Sequence, residues 1–383
     1  MVRRVRMGHA LRAVARQFGV AVGTVSLWVA RSAGQRLDRF SFVEHKRGRA
    51  WNRIEPAVEQ RILRARAHLR AYSVLGEYGA DAIERALQQE HFEPGVSRAT
   101  INRVLRRHGA TDAHGRVRRA APPKGWYLPE VVAGRAEVDC FDFIEDLKIA
   151  GGPLVNVLTA KSLHGALTDA WVLGQGSARL AQGCLLARWG RDGLPAYAQF
   201  DNDTVFQGAH QFADAVGRIS RLCLALGVIP VFVPPLEHGM QNSLEGFNGL
   251  WQAKVWQRHH VASAQELQAR SDAYIAAHRA RRQAPDAALP RRALPEHFRL
   301  DLHAPLRGQM VFIRRTDERG HAHLLGRRFA ISSEWPNRLV RCEVDFDHHC
   351  IRCCALRRRA PAEQPLLATL PYHRPNKPFK GEL

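Results

Sequence analysis

The sequence predicts a multi-domain chain. All-α helix-turn-helix modules come first, an α/β core on a mixed five-stranded sheet follows, and a small C-terminal β-barrel closes the ordered part. Three observations predict this. Helical periodicity with exposed arginines dominates residues 1–110. From residue 136, apolar strands alternate with amphipathic helices. From residue 306, short strands recur at close spacing. The length, 383 residues, fits two to four domains at roughly 100–200 residues each. With 45% hydrophobic and 24% charged residues, the composition is that of a globular chain with a sizeable core.

The net charge of +21 points to a polyanionic partner, with nucleic acid ahead of an anionic membrane. The most apolar run, residues 222–236, contains Pro230, Pro234 and Pro235, so it is too short and too broken to span a bilayer. Arg12 and Arg16 interrupt any N-terminal signal core. Seven cysteines, an odd number, read as reduced thiols of a cytosolic protein. The charge is unevenly placed. Residues 1–120 hold 24 Lys/Arg against 10 Asp/Glu, a net of +14. Residues 136–255 hold 8 against 12, a net of −4, and residues 256–383 hold a net of +10. Basic ends flanking an acidic middle fit an enzyme whose carboxylates hold metal ions better than a protein that only coats DNA.

Residues 1–35 form the first module. The segment LRAVARQFGVAVGTVSLWVAR, residues 11–31, places Leu11, Val14, Ala15 and Phe18 on one face, Gly19 at the turn, and Val25, Trp28 and Val29 inward on a second helix. That spacing is the helix-turn-helix pattern. Thr24, Ser26 and Arg31 then face DNA. Residues 36–55, with KRGRAWNR, read as a basic linker that tracks phosphates. The second module spans 56–110, with helices at 57–69 and 81–89 and a third opened by Ser97 as N-cap. In that helix Ile101 and Val104 turn inward, while Arg98, Asn102, Arg103, Arg106 and Arg107 stay exposed for DNA. Residues 111–135, with Pro122 and Pro123, read as a linker.

Residues 136–282 carry the core. Strands are expected at 136–143, 154–159, 167–173, 196–200 and 228–233, with helices at 177–189, 206–226, 243–257 and 263–282. Three strands, a helix, a strand, a helix, a strand and a helix is the element order of an RNase H-like fold. Asp139 lies inside the first strand, where an unpartnered carboxylate is costly. It therefore needs either a metal or a buried ion pair. Asp142, three residues on, points to the other face and is the alternative. Asp201 ends the fourth strand and competes with Asp203. Glu245 begins a helix whose buried stripe is Leu244, Phe247, Trp251 and Val255; Glu245, Asn248 and Gln252 share its polar face.

The three blocks EVDCF, FDNDTVFQG and NSLEGFNG resemble the core of DDE-type integrases and transposases. With helix-turn-helix modules in front, the chain is similar to a bacterial insertion-sequence transposase over roughly residues 10–360. The resemblance implies two Mg²⁺ or Mn²⁺ ions, with Asp139 bridging both, Asp201 binding one and Glu245 the other. It also implies double-stranded DNA (element ends and target) as partner, at least a dimer on DNA, and a bacterial cytoplasmic setting. The chain departs from the family in reading Asp-Asn-Asp where Asp-Asn-Gly is usual. The family's spacing would select Glu237 as the third carboxylate, whereas 43 residues separate Asp201 from Glu245. Glu245 is preferred because a helix aims it, while Glu237 lies in the loop PPLEHG. A DNA-binding regulator without catalysis and a nuclease that only hydrolyses are the rival readings.

Residues 283–305 are a Pro-rich connector. Strands at 310–315, 321–325, 328–332, 339–344 and 351–356 predict an SH3-like barrel over 306–360. Its arginines 314, 315, 327, 328, 357, 358 and 359 are placed to contact the DNA backbone. His348, His349, Cys350, Cys353 and Cys354 contain a single CxxC, a weak zinc signal. Residues 361–383 are expected to be a disordered tail.

Overall fold

The computed structural model describes residues 1–34, 36–37, 54–93, 95–111, 124–164, 167–209, 212–234, 240–281, 289–358, 360–375 and 379. The KRGRAWNR linker, Glu237 and Arg359 lie outside the described residues, as do parts of both expected connectors and the end of the tail. Packing divides the chain into two units, Met1–Ile62 and Leu63–Leu383.

The first unit holds α1 (Val2–Arg6), α2 (Leu11–Phe18) and α3 (Val22–Arg31). Gly19 ends α2 with φ +62°, a left-handed turn that glycine adopts without steric cost. The axes of α2 and α3 meet at 111°, within the roughly 90–120° of helix-turn-helix pairs. Val14, Ala15 and Val25 are buried between them. Phe18, expected inward, is 47% exposed, because the chain reverses immediately after it. Among the described residues no single helix is long and apolar enough to cross a membrane.

Helix α4 (Pro56–Tyr72) leads to α5 (Ala80–Gln89) and α6 (Arg98–Arg107). Ile83 and Leu87 of α5 and Ile101, Val104 and Leu105 of α6 are buried. Ser97 occupies the N-cap position, but its hydroxyl donates to Thr100 Oγ1 at 3.2 Å rather than accepting from the helix backbone. The second half of the expected linker is core. Trp126, Tyr127, Leu128 and Val131 are buried around α7 (Pro129–Val132).

The remaining elements follow as β1 (Val138–Lys148), β2 (Leu154–Ser162), β3 (Thr168–Leu173), α8 (Ala178–Asp192), β4 (Tyr197–Phe200), α9 (Thr204–Gln207), α10 (Arg218–Ala225), β5 (Ile229–Phe232), α11 (Asn242–Trp251), a π-helical turn Gln252–Trp256, and α12 (Ala264–Arg281). The expected elements occur in the expected order, with one break. The single helix expected at 206–226 is two short ones. Gly208 has φ +90°, and a Cβ there would fall 2.7 Å from the Cα of Gly217. Two glycines thus let the chain cross itself between α9 and α10.

The expected five-stranded sheet and separate barrel are corrected by one continuous sheet. Strands β6 (Gln309–Arg315), β9 (Leu339–Asp345), β10 (Cys350–Ala355) and β11 (Leu366–Pro371) extend it, giving nine strands in the order β11-β10-β9-β6-β5-β4-β1-β2-β3. β7 (His321–Leu324) and β8 (Arg327–Ala330) form their own hairpin. The join is a parallel pairing of β5 with β6, Val231 opposite Val311 and Phe232 opposite Phe312. Both strands are apolar on both faces, as a covered parallel strand must be. A barrel would have closed these strands on one another; here β11 and β3 are the two open edges of the sheet. β11 lies where a disordered tail was expected, and its Pro371 is followed by a buried Tyr372.

The sheet has two apolar faces. One packs Phe141, Phe200, Phe232 and Phe312 against α8 and α10. The other packs Val138, Cys140, Val157 and Val231 against Trp126, α11 and α12. Alternate β1 residues therefore face different helices.

Candidate active site

Asp139 and Asp142 are three residues apart on β1, so they point to opposite faces. Asp139 is fully buried on the α8 face. Arg188 Nε and Nη2 donate to its oxygens at 2.9 and 3.0 Å. Arg291 Nη1 and Nη2 donate at 3.2 and 2.5 Å, and Trp189 Nε1 donates at 3.2 Å. Burial alone would raise its pKa. The charges and hydrogen bonds of Arg188 and Arg291 outweigh burial and hold the carboxyl below its usual range. Arg188 also bonds Asp169. Asp169 and Asp192 are themselves held by Arg191 and Arg279. The expectation that Asp139 is a metal ligand is thereby corrected: its oxygens are taken by two guanidiniums and an indole, inside a closed core.

Asp142 occupies the other face. The parallel register of β1 with β4 pairs Val138 with Tyr197, Asp139 with Ala198 and Cys140 with Gln199. Continued by two residues, the same offset sets Asp142 beside Asp201, just past the end of β4. Helix α11 lies on this face, anchored by Leu244, Phe247 and Trp251, all buried. Each such side chain contributes about 1.5–3 kcal/mol. Glu245 lies in the first turn of α11 and is exposed. Asn248, one turn on, donates Nδ2–H to Asp142 Oδ2 at 2.8 Å. Thr159 of β2 donates its hydroxyl to Asn248 Oδ1 at 2.8 Å, which fixes the amide's orientation. Lys161 Nζ donates to Ser243 O at 2.9 Å, tying the start of α11 to β2.

The electrostatics of this face oppose those around Asp139. Burial, and then the negative charges of Asp201 and Glu245, push the Asp142 carboxyl up to about 7. Burial also raises Asp201, with the charges of Asp203 and Glu145 adding to it. Asp203 is a turn residue. Its N–H donates to Asp201 Oδ1 at 3.0 Å, and its carboxylate caps α9 by accepting from Val205 N at 2.7 Å. Asn202 accepts from Arg314 Nη2 at 2.7 Å and donates to Val233 O, which holds the strand end that carries Asp201.

Three oxygen-donor side chains whose strongest mutual influence is repulsion suit a hard divalent cation. Among the described residues, no three His, Cys, Asp or Glu side chains are already closed around one point as a metal site would be. A bound ion would have to draw these carboxylates together. Sequence reasoning missed the roles of Thr159 and Lys161. It placed Asn248 on the same helix face as Glu245 without giving it a partner.

The residues expected to meet DNA fall as follows. Ser26 and Arg31 are exposed and Thr24 is half-buried. The Arg31 guanidinium sits 5.4 Å from the centre of the Trp28 ring. Arg98, Asn102, Arg103, Arg106 and Arg107 are all exposed along α6. Arg98 is engaged by Asp81 at 2.8 Å and Glu84 at 3.4 Å. At the C-terminal cysteines, Cys353 Sγ lies 3.7 Å from Cys342 Sγ inside the core, and His348 bonds Asp345 at 3.0 Å.

No protein-family model matches the chain, and no curated protein does. Among solved structures it is similar to a chain of the simian T-cell lymphotropic virus intasome in complex with PP2A regulatory subunit B56 gamma. That similarity has 12% identity and a TM-score of 0.33, covering 81% of this chain and 99% of the other. It is also similar to the catalytic core domain of BIV integrase, with 16% identity and a TM-score of 0.27, covering 37% and 81%. Neither similarity is close enough to assign a fold or a role, so the chemistry follows from the side chains themselves.

Proposed function

We propose that the chain is a metal-dependent DNA transposase, a polynucleotidyl transferase that cleaves phosphodiesters at element ends and joins them to target DNA. One observation carries this reading: Asp142, Asp201 and Glu245 share one sheet face, with Asp142 pushed up to about 7 by burial and by the other two. Asp142 takes the place first assigned to Asp139. The carboxylates would hold two Mg²⁺ or Mn²⁺ ions, which supply Lewis acidity at the attacking and leaving oxygens of an in-line displacement. Asp142 must lose its proton to ligate, and the Asn248 amide favours that ionised form. Asp201 is held at the strand end by the Asp203 N–H. Glu245 completes the set from the first turn of α11. No protein side chain acts as nucleophile; water attacks in hydrolysis and a DNA 3′-hydroxyl attacks in joining.

The basic N-terminal unit and α6 are read as the DNA-binding elements that select the ends, so end binding needs no metal. The test is a strand-transfer assay on labelled duplexes bearing the sequences that flank the coding region, with Mg²⁺ or Mn²⁺. Asp142→Asn should abolish joining while sparing end binding. Joining that persists in excess chelator, or in Asp142→Asn, would defeat the proposal. Metal-dependent cleavage without joining would make the protein a hydrolase, and end binding alone would make it a regulator.

A further inference from the structure

A second polar site lies on the sheet face opposite the three carboxylates. Arg221 of α10 is 5% exposed. Its Nε donates to Val216 O at 3.1 Å. Its guanidinium carbon sits 5.4 Å from the centre of the Phe379 ring; among the described residues, no hydrogen-bond acceptor pairs with its terminal nitrogens and no carboxylate comes within ion-pair distance. Arg188, also buried on this face, is treated differently: it is paired with Asp139 and Asp169. Arg374 lies close enough for its charge to act on Arg221, and it too has no carboxylate partner among the described residues. Its Nε donates to the carbonyl of Asp214 at 3.0 Å. Burial first, then the charge of Arg374, push the Arg221 guanidinium down to about 10; Asp301 opposes both less strongly.

Arg221 and Arg374 line a cavity of about 280 Å³ together with His303, His349, Tyr372 and Phe379, and among the described residues no Asp or Glu lines it. Burying a guanidinium without a counter-ion is expensive. Arg221, buried, and Arg374, half-buried, face one cavity, an arrangement that an anion would complete. The planar fork of arginine matches tetrahedral oxyanions two bonds at a time. The cavity is at the lower edge of small-ligand pockets, which run from roughly 300 Å³ upward. It has room for one phosphate group and a small appendage. We propose that this cavity is a phosphate-binding site.

Phosphate chemistry has two sources here, a free monoester such as inorganic phosphate or a mononucleotide, and a phosphodiester of DNA. The full-length protein is titrated with inorganic phosphate by calorimetry, and its thermal midpoint is followed in phosphate against chloride at matched ionic strength. Phosphate should bind and raise the midpoint beyond chloride. Arg374→Gln, at a half-exposed position, should weaken binding about ten-fold, the loss of one charge-assisted contact. Arg221→Lys, which keeps the charge and loses the fork, should weaken it too. A short unphosphorylated duplex separates the sources. If Arg374→Gln weakens its binding and phosphate competes with it, the ligand is a phosphodiester; if a mononucleotide binds and duplex affinity is unchanged, it is a monoester. Asp142→Asn should bind phosphate like the wild type, which keeps this test independent of the transfer reaction. Equal midpoints in phosphate and chloride with no binding heat, or an Arg374→Gln variant that binds phosphate normally, would overturn the proposal.

Discussion

Asp139 and Asp142 sit three residues apart on one strand and occupy opposite electrostatic worlds. Around Asp139 the protein supplies its own cations: Arg188 and Arg291 satisfy both oxygens, and the carboxyl is held low. Around Asp142 it supplies carboxylates instead, and the carboxyl is pushed up to about 7. Asp139 is fully buried and Asp142 half-buried in the same hydrophobic strand, and burial raises the pKa of both, so its direction does not separate the two acids. What distinguishes them is who neutralises the charge. A structural acid carries its counter-ion within the fold, while a functional one leaves the position open for something the fold does not contain.

The strongest way to break this contrast is to neutralise each acid in turn. Asp142→Asn should cut strand transfer roughly a thousand-fold or more, the expected result of losing several kcal/mol of metal-borne transition-state stabilisation. The variant should fold and bind DNA ends normally. Asp139→Asn should do the reverse. It removes the carboxylate that Arg188 and Arg291 share in the core, leaving Arg188 to Asp169, and should lower unfolding free energy by about 3–5 kcal/mol, read from urea midpoints at unchanged m-value. The molecules that remain folded should still join DNA. Joining lost per folded molecule in Asp139→Asn, with Asp142→Asn active, would restore Asp139 as the ligand.

Proton linkage gives opposite signs for the two acids. Asp142 has a folded pKa above its unfolded value of 3.8. Between about pH 4 and 7 the unfolded chain releases this proton while the folded chain keeps it, so stability falls as pH rises and then levels off. The fall amounts to a few kcal/mol, at about 1.4 kcal/mol per unit. Asp142→Asn should remove it, making the variant more stable than wild type above pH 7 in the absence of divalent ions. Asp139 has a folded pKa below its unfolded value. Its contribution is present above about pH 4 and is lost as pH falls further. Thermal midpoints of wild type and Asp142→Asn from pH 4 to 8 in chelator check the sign; parallel curves would remove Asp142 from its assigned environment.

Much of this was legible in the sequence. The order of strands and helices followed from apolar periodicity, and the EVDCF block located β1. What periodicity could not supply was the identity of each strand face. Alternation says that Asp139 and Asp142 diverge, but choosing between them requires knowing that α8 brings Arg188 to one side and α11 brings Glu245 to the other. That is tertiary information, as is the register that sets Asp142 beside Asp201. The same limit explains the missed sheet extension. β6 and β9 to β10 read equally well as barrel strands, and only the pairing of Val231 with Val311 makes them one sheet with the core. The position of Glu245 on the exposed face of α11 was legible because Leu244, Phe247 and Trp251 form a buried stripe that fixes which way the polar face turns.

Asn248 is the neutral side chain that touches Asp142, the acid proposed to bind metal. Its amide donates to Asp142 and is itself aimed by Thr159. A hydrogen bond to the ionised carboxylate lowers its pKa, so Asn248 partly offsets the burial and repulsion that keep Asp142 protonated. Asn248→Ala should reduce strand transfer about 10–100-fold, the usual effect of removing a group that orients a metal ligand. It should also move the rising limb of the pH–rate profile to higher pH, because Asp142 then holds its proton more tightly. A purely packing role would lower stability without moving that limb. Asn248→Ala activity that recovers toward wild type as pH is raised would establish that the amide acts through the Asp142 proton; an unshifted profile would reduce Asn248 to a spacer between helix and sheet.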